Sequence, residues 1–588
     1  MALAPWPVIV PLLAAAILAG LGAKMPKWMA NVFGAFAASV TALFCVLLLR
    51  KAPVVYWFGG YHPRAGVALG IDFAADRFGI TLALLAALLT VSALVFAIRY
   101  FEEPEAAFQA LLLLFLAGMC GFSLTGDLFD LFVFFELMGA AAYGLCGYKN
   151  REMGPLQGAI NFAVVNTAGA FLTLTGISFL YARTGALNFS QIARMLGQSH
   201  DSLVLAGFAL VCTGFLVKAA IVPFQFWLAD AHAAAPTPAC ILFSGVMVEA
   251  GLYGVARVYG SMFSQTGIGD RARQVLICAG VVTCLAGAAM CFAQRHLKRL
   301  LAFSTISHAG AMLLGIAMLD GTGYAGAALY VLGHGCVKAA LFLCAGMLLH
   351  RLQSVDELKL QGRGRPFPLL GLLMAALALL LAGLPGSALF IGSALIEHGL
   401  EGHHLALFAL HASAVVTGAA VLRVCGRVFL GIGPREPDAP GPSSADEEPE
   451  TEPGLIGPCM WAPAVALFAL AIATAWTPRT VALQTAARML DTHAWAQHVL
   501  DGAPLAAAPA AESEPPKPMP GIVSALLAVA LAGLTLGRKS LPGALRGAVR
   551  LVWDPLTRGL RALHTGVVGD QVAWFTFGAA LFGCALLL

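Results

Sequence analysis

Long apolar runs follow one another along this chain, and short polar turns between them hold most of the charge. A bilayer core takes about 20 apolar residues of helix. On that measure spans are expected near 5–23, 30–50, 75–99, 106–125, 127–147, 157–182, 203–229, 238–260, 273–292, 299–319, 324–350, 368–395, 403–431, 458–477, 520–537 and 568–588. The predicted fold is all-α, a polytopic membrane protein of about 16 transmembrane helices. Several runs exceed about 25 residues, which points to tilt, breaks or ends in water. The first run, Pro5 to Ala23, has no basic region before it and no convincing cleavage site. It reads as a span rather than a signal peptide.

The polar stretches divide into loops and one amphipathic segment. Residues 433–457, which include PREPDAPGPSSADEEPETEP, are rich in proline, acid and serine and are expected to be a disordered loop. Residues 502–520 form an Ala/Pro-rich linker. Near 541–565, Arg546, Arg550 and Arg558 are spaced among Leu, Val and Trp. That pattern predicts an interfacial amphipathic helix, broken at Pro555, lying on the membrane or on a neighbouring subunit. Basic residues gather in alternate loops, from Lys24 and Lys27 through Arg295 and Lys298 to Arg558 and Arg561. The positive-inside rule then puts both termini outside.

Composition agrees with this layout. Of 588 residues, 59% are hydrophobic and 11% charged, against about 25% charged in a soluble domain. Mean hydropathy is +0.83. The net charge of +4 and the lack of a basic tract with interleaved aromatics argue against a nucleic-acid partner. Thirteen cysteines are scattered singly through apolar runs and read as small core residues. No ligand cluster and no phosphate-binding glycine loop is visible, so neither a metal nor another cofactor is expected.

Three charges stand inside the apolar runs: Glu136 in LFDLFVFFELMGAAAYG, Lys218 in GFLVKAAIVPFQFWLADAH and Lys338 in LGHGCVKAALFLCAG. An ionised group near the bilayer midplane costs several kcal/mol, roughly, and such groups mark ion pathways or proton relays. Two runs also carry proline where a simple helix would not, at Pro223 and at Pro385. Proline removes a backbone donor, and the freed carbonyls need other partners. The two breaks are about five spans apart, which suggests two five-helix repeats, 106–260 and 261–432, each with its fourth helix broken. An odd number of spans per repeat makes them inverted. Residues 1–105 would add spans before the repeats, and 458–588 spans after the acidic loop.

The segments FFELMGAAAYG, KAAIVPFQFWLADAHAAAPTP, FSGVMVEAGLYG, QRHLKRLLAFSTISHAG, LGHGCVKAALFLCAG and LAGLP resemble the antiporter-like membrane subunits. That family supplies the proton-conducting subunits of NADH:quinone oxidoreductase, of Mrp-type cation/proton antiporters and of membrane-bound hydrogenases. The resemblance runs from about residue 70 to 430, with Lys218 to Pro238 its most specific part. The D-type subunits of Mrp systems and their hydrogenase-linked relatives look most similar. The resemblance implies that Glu136 pairs with Lys218 as an electrostatic switch, and that His334 and Lys338, one helical turn apart, form a central relay. His308 is a further relay candidate. Asp230 and His232 either cap the break or line an access path. Asp127 and Asp130 either gather protons at a channel mouth or start their helix, and the second reading is favoured.

Two positions depart from the family pattern. Glu249 stands where relatives usually carry lysine, and Ser393 where they carry lysine or glutamate, with Glu397 one turn on as its candidate substitute. The resulting expectation is a proton-translocating subunit of a larger complex in the cell inner (plasma) membrane. Its partners would be other membrane subunits, the bilayer, protons and either Na⁺ or K⁺. The alternatives are a membrane-arm subunit of a hydrogenase or NADH:quinone oxidoreductase and a structural subunit that has lost conduction.

Overall fold

The computed structural model describes residues 3–101, 106–149, 153–197, 201–263, 268–434, 454–505, 515–538 and 542–587. The chain opens with α1 (Trp6–Leu21) and α2 (Lys27–Leu49), then a short antiparallel hairpin of β1 (Val54–Trp57) and β2 (Asp72–Ala75). Next come α3 (Arg77–Tyr100), α4 (Ala106–Leu124), α5 (Leu128–Cys146), α6 (Met153–Thr184) and the short α7 (Phe189–Leu196). The first broken span is α8 (Ser202–Lys218) with α9 (Phe226–Ala234). The next span is α10 (Thr237–Leu242) joined to α11 (Val248–Phe263) by a π-turn at Phe243–Met247. The second set is α12 (Ile268–Ala293), α13 (Leu297–Ala317), α14 (Gly321–Leu352), the broken pair α15 (Pro368–Leu381) and α16 (Ala388–Gly399), and α17 (His404–Cys425). The chain ends with α18 (Pro458–Ala473), α19 (Arg479–Leu490), α20 (Thr492–Asp501), α21 (Pro518–Leu536), α22 (Gly543–Leu563) and α23 (Val568–Leu587).

Among the described residues, 13 helices are long and apolar enough to cross a membrane. Together with the two broken pairs and α23, they supply a helix for each expected span, and the protein is an all-α, multi-pass membrane protein. Hydropathy did not reveal the β-hairpin or the short α7, α19 and α20. These pack together on one face: α20 lies on α7, Arg194 meets Asp501 at 2.6 Å, and Trp495 packs with Trp57. The basic-loop pattern places that face outside. The 13 cysteines are all free, most of them buried.

Both broken spans stop in the same way. In α8 the Ile221 N–H bonds Leu216 O and the Ala220 N–H bonds Val217 O, with Ala220 left-handed at φ 52°. In α15 the Leu384 N–H bonds Leu379 O and the Gly383 N–H bonds Leu380 O, with Gly383 at φ 95°. Each is a Schellman ending, which satisfies carbonyls that a severed helix would leave bare. Pro223 and Pro385 follow within a few residues and forbid the helix to resume at once. A threonine from another segment then accepts a backbone N–H beyond each stop: Thr283 from Val222 at 3.1 Å and Thr474 from Ala388 at 3.0 Å.

Two expectations meet the structure differently. The break at Pro555 is absent: α22 runs continuously through it. A single proline costs one intrahelical hydrogen bond, and at the water interface solvent can take up the freed carbonyl. Of the proline- and acid-rich loop, 435–453 lies outside the described residues, as do 506–514 of the linker. α13 sits at the centre of the molecule, with every residue but Arg299 buried. α1, α2 and α21 lie at the edge and turn large apolar side chains such as Leu13, Phe36 and Leu526 outward.

Candidate functional site

Lys218 is the last residue of α8, so its ammonium lies at the negative end of that helix's dipole. The side chain is fully buried, and its Nζ has no hydrogen-bond partner in the protein. It sits instead 4.4 Å from the centre of the Phe135 ring, with Tyr143 and Phe162 each at 5.9 Å. Phe135 is the neighbour of Glu136 on α5. Glu136 is half-buried, and its Oε1 also has no hydrogen-bond partner. The two expected switch residues therefore face one region without a hydrogen bond between them. A gap of this kind makes their attraction sensitive to small helix movements, because Coulomb energy in low dielectric changes steeply with distance. The Trp227 indole, stacked on Phe162 at 4.4 Å, donates to Val217 O and closes the wall behind the lysine.

The break carries the chain to α9, where His232 is buried with both ring nitrogens unpartnered. Its ring stacks on Phe342 of α14 at 4.7 Å, and Phe342 lies one turn beyond Lys338. Lys298, which hydropathy places in a basic loop, is in fact buried and donates to Ala235 O at 2.7 Å and Ala233 O at 3.3 Å. It caps the carbonyl end of α9. Its place in the HLKRLLAFSTISH motif was the available signal. Asp230 does not line this interior. It meets His564 at 3.2 Å and Arg299 at 3.5 Å, and so ties the α22–α23 turn to α9 and α13.

Lys338 is also fully buried, but it is hydrogen-bonded: Nζ donates to Leu301 O at 2.5 Å and to the Ser304 hydroxyl of α13. One turn earlier on α14, His334 Nδ1 lies 2.8 Å from Glu249 Oε1. Glu249 follows the π-turn by two residues. A π-turn widens the helix locally and is frequent at functional sites. Glu249, expected to depart from the family pattern, is thus the direct partner of His334, the expected relay histidine. The His334 and His308 rings are 5.2 Å apart. His308 in turn contacts the Tyr330 hydroxyl at 2.6 Å and Thr417 Oγ1 at 2.9 Å, and the line ends there, because Thr417 Oγ1 donates to the Ser413 backbone carbonyl. Imidazoles and hydroxyls that both donate and accept can pass protons along such a line.

Glu397 stands apart from this cluster. It lies near the end of α16, half-exposed, with His411 at 3.8 Å. At the opposite end of the first set, Asp127 caps α5 by accepting from the N–H groups of Phe129 and Asp130, as its helix-start reading requires. Tyr330, Thr417, Ser304 and Lys298 were not singled out from sequence. A lone hydroxyl in an apolar run carries no signal until its partner helix is known.

The chain matches the family model described as "NADH:quinone oxidoreductase/Mrp antiporter, TM" over residues 125–417. It is 31% identical over 435 residues to the N subunit of an NADH-quinone oxidoreductase from Desulforudis audaxviator (strain MP104C), covering 72% of this chain and 85% of that protein. It is 28% identical over 463 residues to the D-type subunit of a Na(+)/H(+) antiporter from Bacillus subtilis (strain 168), covering 77% of this chain and 90% of that protein. The solved structure of the Mrp complex from Dietzia sp. DQ12-45-1b contains a chain of similar fold, with TM-score 0.74 and 26% identity, covering 85% of this chain and all of that one. Buried lysines on α8 and α14, two helices broken alike and these likenesses agree: the chain belongs to the NADH:quinone oxidoreductase/Mrp antiporter family of membrane subunits.

Proposed function

We propose that this chain is the proton-translocating, antiporter-like subunit of a multi-subunit complex in the plasma membrane, most similar to the D-type subunit of Mrp monovalent cation/proton antiporters. The observation that carries this reading is the row of buried ionisable and hydroxyl groups. It starts at half-buried Glu136 and buried Lys218, continues by His232 to Lys338, and reaches Glu249, His334 and His308. A buried charge without a partner is costly, and natural proteins keep such groups where they act. Glu136 biases the proton on Lys218, and Lys338 with its histidines forms the relay of the second set. Glu397 is the candidate terminal exchanger beyond it. The matching Schellman stops support the division into repeats 106–260 and 261–432, and five spans in each make the two run oppositely through the membrane. The partners are other membrane subunits and the cation is Na⁺ or K⁺.

Proton flux through the assembled complex in proteoliposomes tests this. His334→Gln and Lys338→Ala are each expected to lower it by roughly a hundredfold, the scale of a lost proton-transfer group. Unchanged flux in both would leave the scaffold reading in place. A second reading, a membrane arm of a redox enzyme, is favoured by the 31% likeness to a subunit of an NADH-quinone oxidoreductase. Affinity purification of the intact complex separates the two: small Mrp-type membrane subunits support the antiporter, and iron–sulfur or nickel subunits support the redox pump.

A further inference from the structure

Glu249 faces two ways. Its Oε1 is engaged by His334, whereas Oε2 is buried and has no partner in the protein. Glu249 also lines a cavity of about 130 Å³ walled by α3, α11 and α14 and roofed by α19. On α11 the lining extends from Glu249 through Tyr253 to Ala256, two turns or about 10 Å along the axis. At its far end are Arg77, the first residue of α3, and Thr477, just before α19, both half-exposed. These stand on the face that carries α7, α19 and α20. The cavity has room for several waters, and a water needs two or more polar partners. Glu249, Thr81, Tyr253, Thr485, Thr477 and Arg77 are polar residues of the lining that can supply them, among mostly apolar neighbours.

We propose that this cavity is a proton passage connecting the Glu249–His334 pair to the face that carries α19, separate from the route by Glu397. The inference rests on the proton-conducting reading above. The hand-off balances within the chain. A proton leaves Glu249 Oε2 for water in the cavity, and the His334 Nδ1–H proton moves to Oε1. His334 is re-protonated at Nε2, which has no other partner and lies on the far side of the ring. Lys338, one turn along α14, and His308, its ring 5.2 Å away, are titratable groups beside His334. A lysine at 249 would place a cation at the base of the cavity when protonated, where this chain has a carboxyl that is neutral when protonated and keeps a second, unpartnered oxygen. The roof helix α19 presents Val481, Thr485 and Met489 to the space and so sets how wide it is.

The test uses the full complex in sealed vesicles, with Cys278 and Cys584, both exposed, replaced by serine. Ala328→Cys on the α14 wall and Thr485→Cys on the α19 roof of the cavity are introduced separately. A charged, membrane-impermeant methanethiosulfonate is added from the α19 face. Labelling is read by mass, and proton flux is compared before and after within each variant. The expected result is labelling at both positions and a drop in flux of about tenfold or more, as for a blocked proton path. No labelling, the outcome if a lipid tail fills the space, overturns the passage, and so does labelling with flux unchanged. Complexes that conduct nothing before labelling sink the conduction reading and the passage with it. Conducting complexes that ignore the label sink the passage alone. Ala328→Trp, which fills the cavity without a reagent, guards against poor folding of either cysteine variant and is expected to block flux likewise.

Discussion

The two buried lysines occupy comparable places and are held in opposite ways. Lys218 ends a broken helix, faces aromatic rings and bonds to nothing in the protein. Lys338 lies in the middle of an unbroken helix and bonds to a carbonyl and a hydroxyl of α13. A bare ammonium is governed by its burial and then by nearby charge, here Glu136, so in the proposed switch its proton would respond to helix movement. A hydrogen-bonded ammonium is tied to its neighbours and exchanges protons along a fixed line. The first arrangement suits a switch and the second a relay. What separates them is the partner helix, since both lysines follow a valine and precede two alanines in sequence.

The largest expected effects test that contrast directly. Lys218→Met and Lys338→Met should each abolish proton flux, by roughly a hundredfold or more, but they should move stability in opposite directions. The Lys218 ammonium is buried with no hydrogen bond to lose, and methionine fills the space without that desolvation cost, so Lys218→Met should hold or raise Tm. Removing Lys338 deletes two charge-assisted hydrogen bonds, although Leu301 O keeps the Ser304 and Thr305 hydroxyls, at a cost of about 1–3 kcal/mol, so Tm should fall. Thermal melts of the purified complex decide it, and equal falls in both variants would erase the distinction. Glu136→Gln comes next. It keeps the shape and deletes the biasing charge, so flux should fall by about tenfold, less than for the lysine itself.

A smaller effect is expected at the far end of the second set. Glu397→Gln should lower flux several-fold while Ser393→Ala changes little, both read in the same proteoliposome assay. Silence at Glu397 together with a blocked cavity beside Glu249 would put the outer exchange at Glu249 instead. The smallest effect concerns Asp72, on the hairpin outside the spans. Burial first, and then the negative charge of Asp127, push its carboxyl up from 3.8 to about 8. The folded chain therefore keeps a proton that the unfolded chain releases, and this contribution to stability is complete below about pH 4 and fades as pH rises towards about 8. Asp72→Asn, which keeps an acceptor for the 2.9 Å bond from Asn188, should flatten Tm against pH across that window. An unchanged slope would show that Asp72 does not titrate there.

Much of this protein is written in one dimension. A bilayer demands about 20 apolar residues per helix, so the run lengths alone located the spans, and proline chemistry alone located both breaks. Glu136, Lys218 and Lys338 were visible because a charge in an apolar run is costly wherever the chain folds. The stops themselves were not legible: Ala220 in the left-handed position gives no warning that Gly383 gives. Nor was the hairpin of Val54–Trp57 and Asp72–Ala75, whose pairing crosses 14 intervening residues. Tertiary structure alone decided which groups meet. Nothing local brings Glu249 within 2.8 Å of His334 across 85 residues, lines up Thr417 with His308, or withholds a partner from Lys218 while giving Lys338 two. Hydropathy and helix-breaking act along the chain, residue by residue. Hydrogen bonds between buried side chains depend on which faces of which helices pack together, and that is settled only when the whole bundle closes.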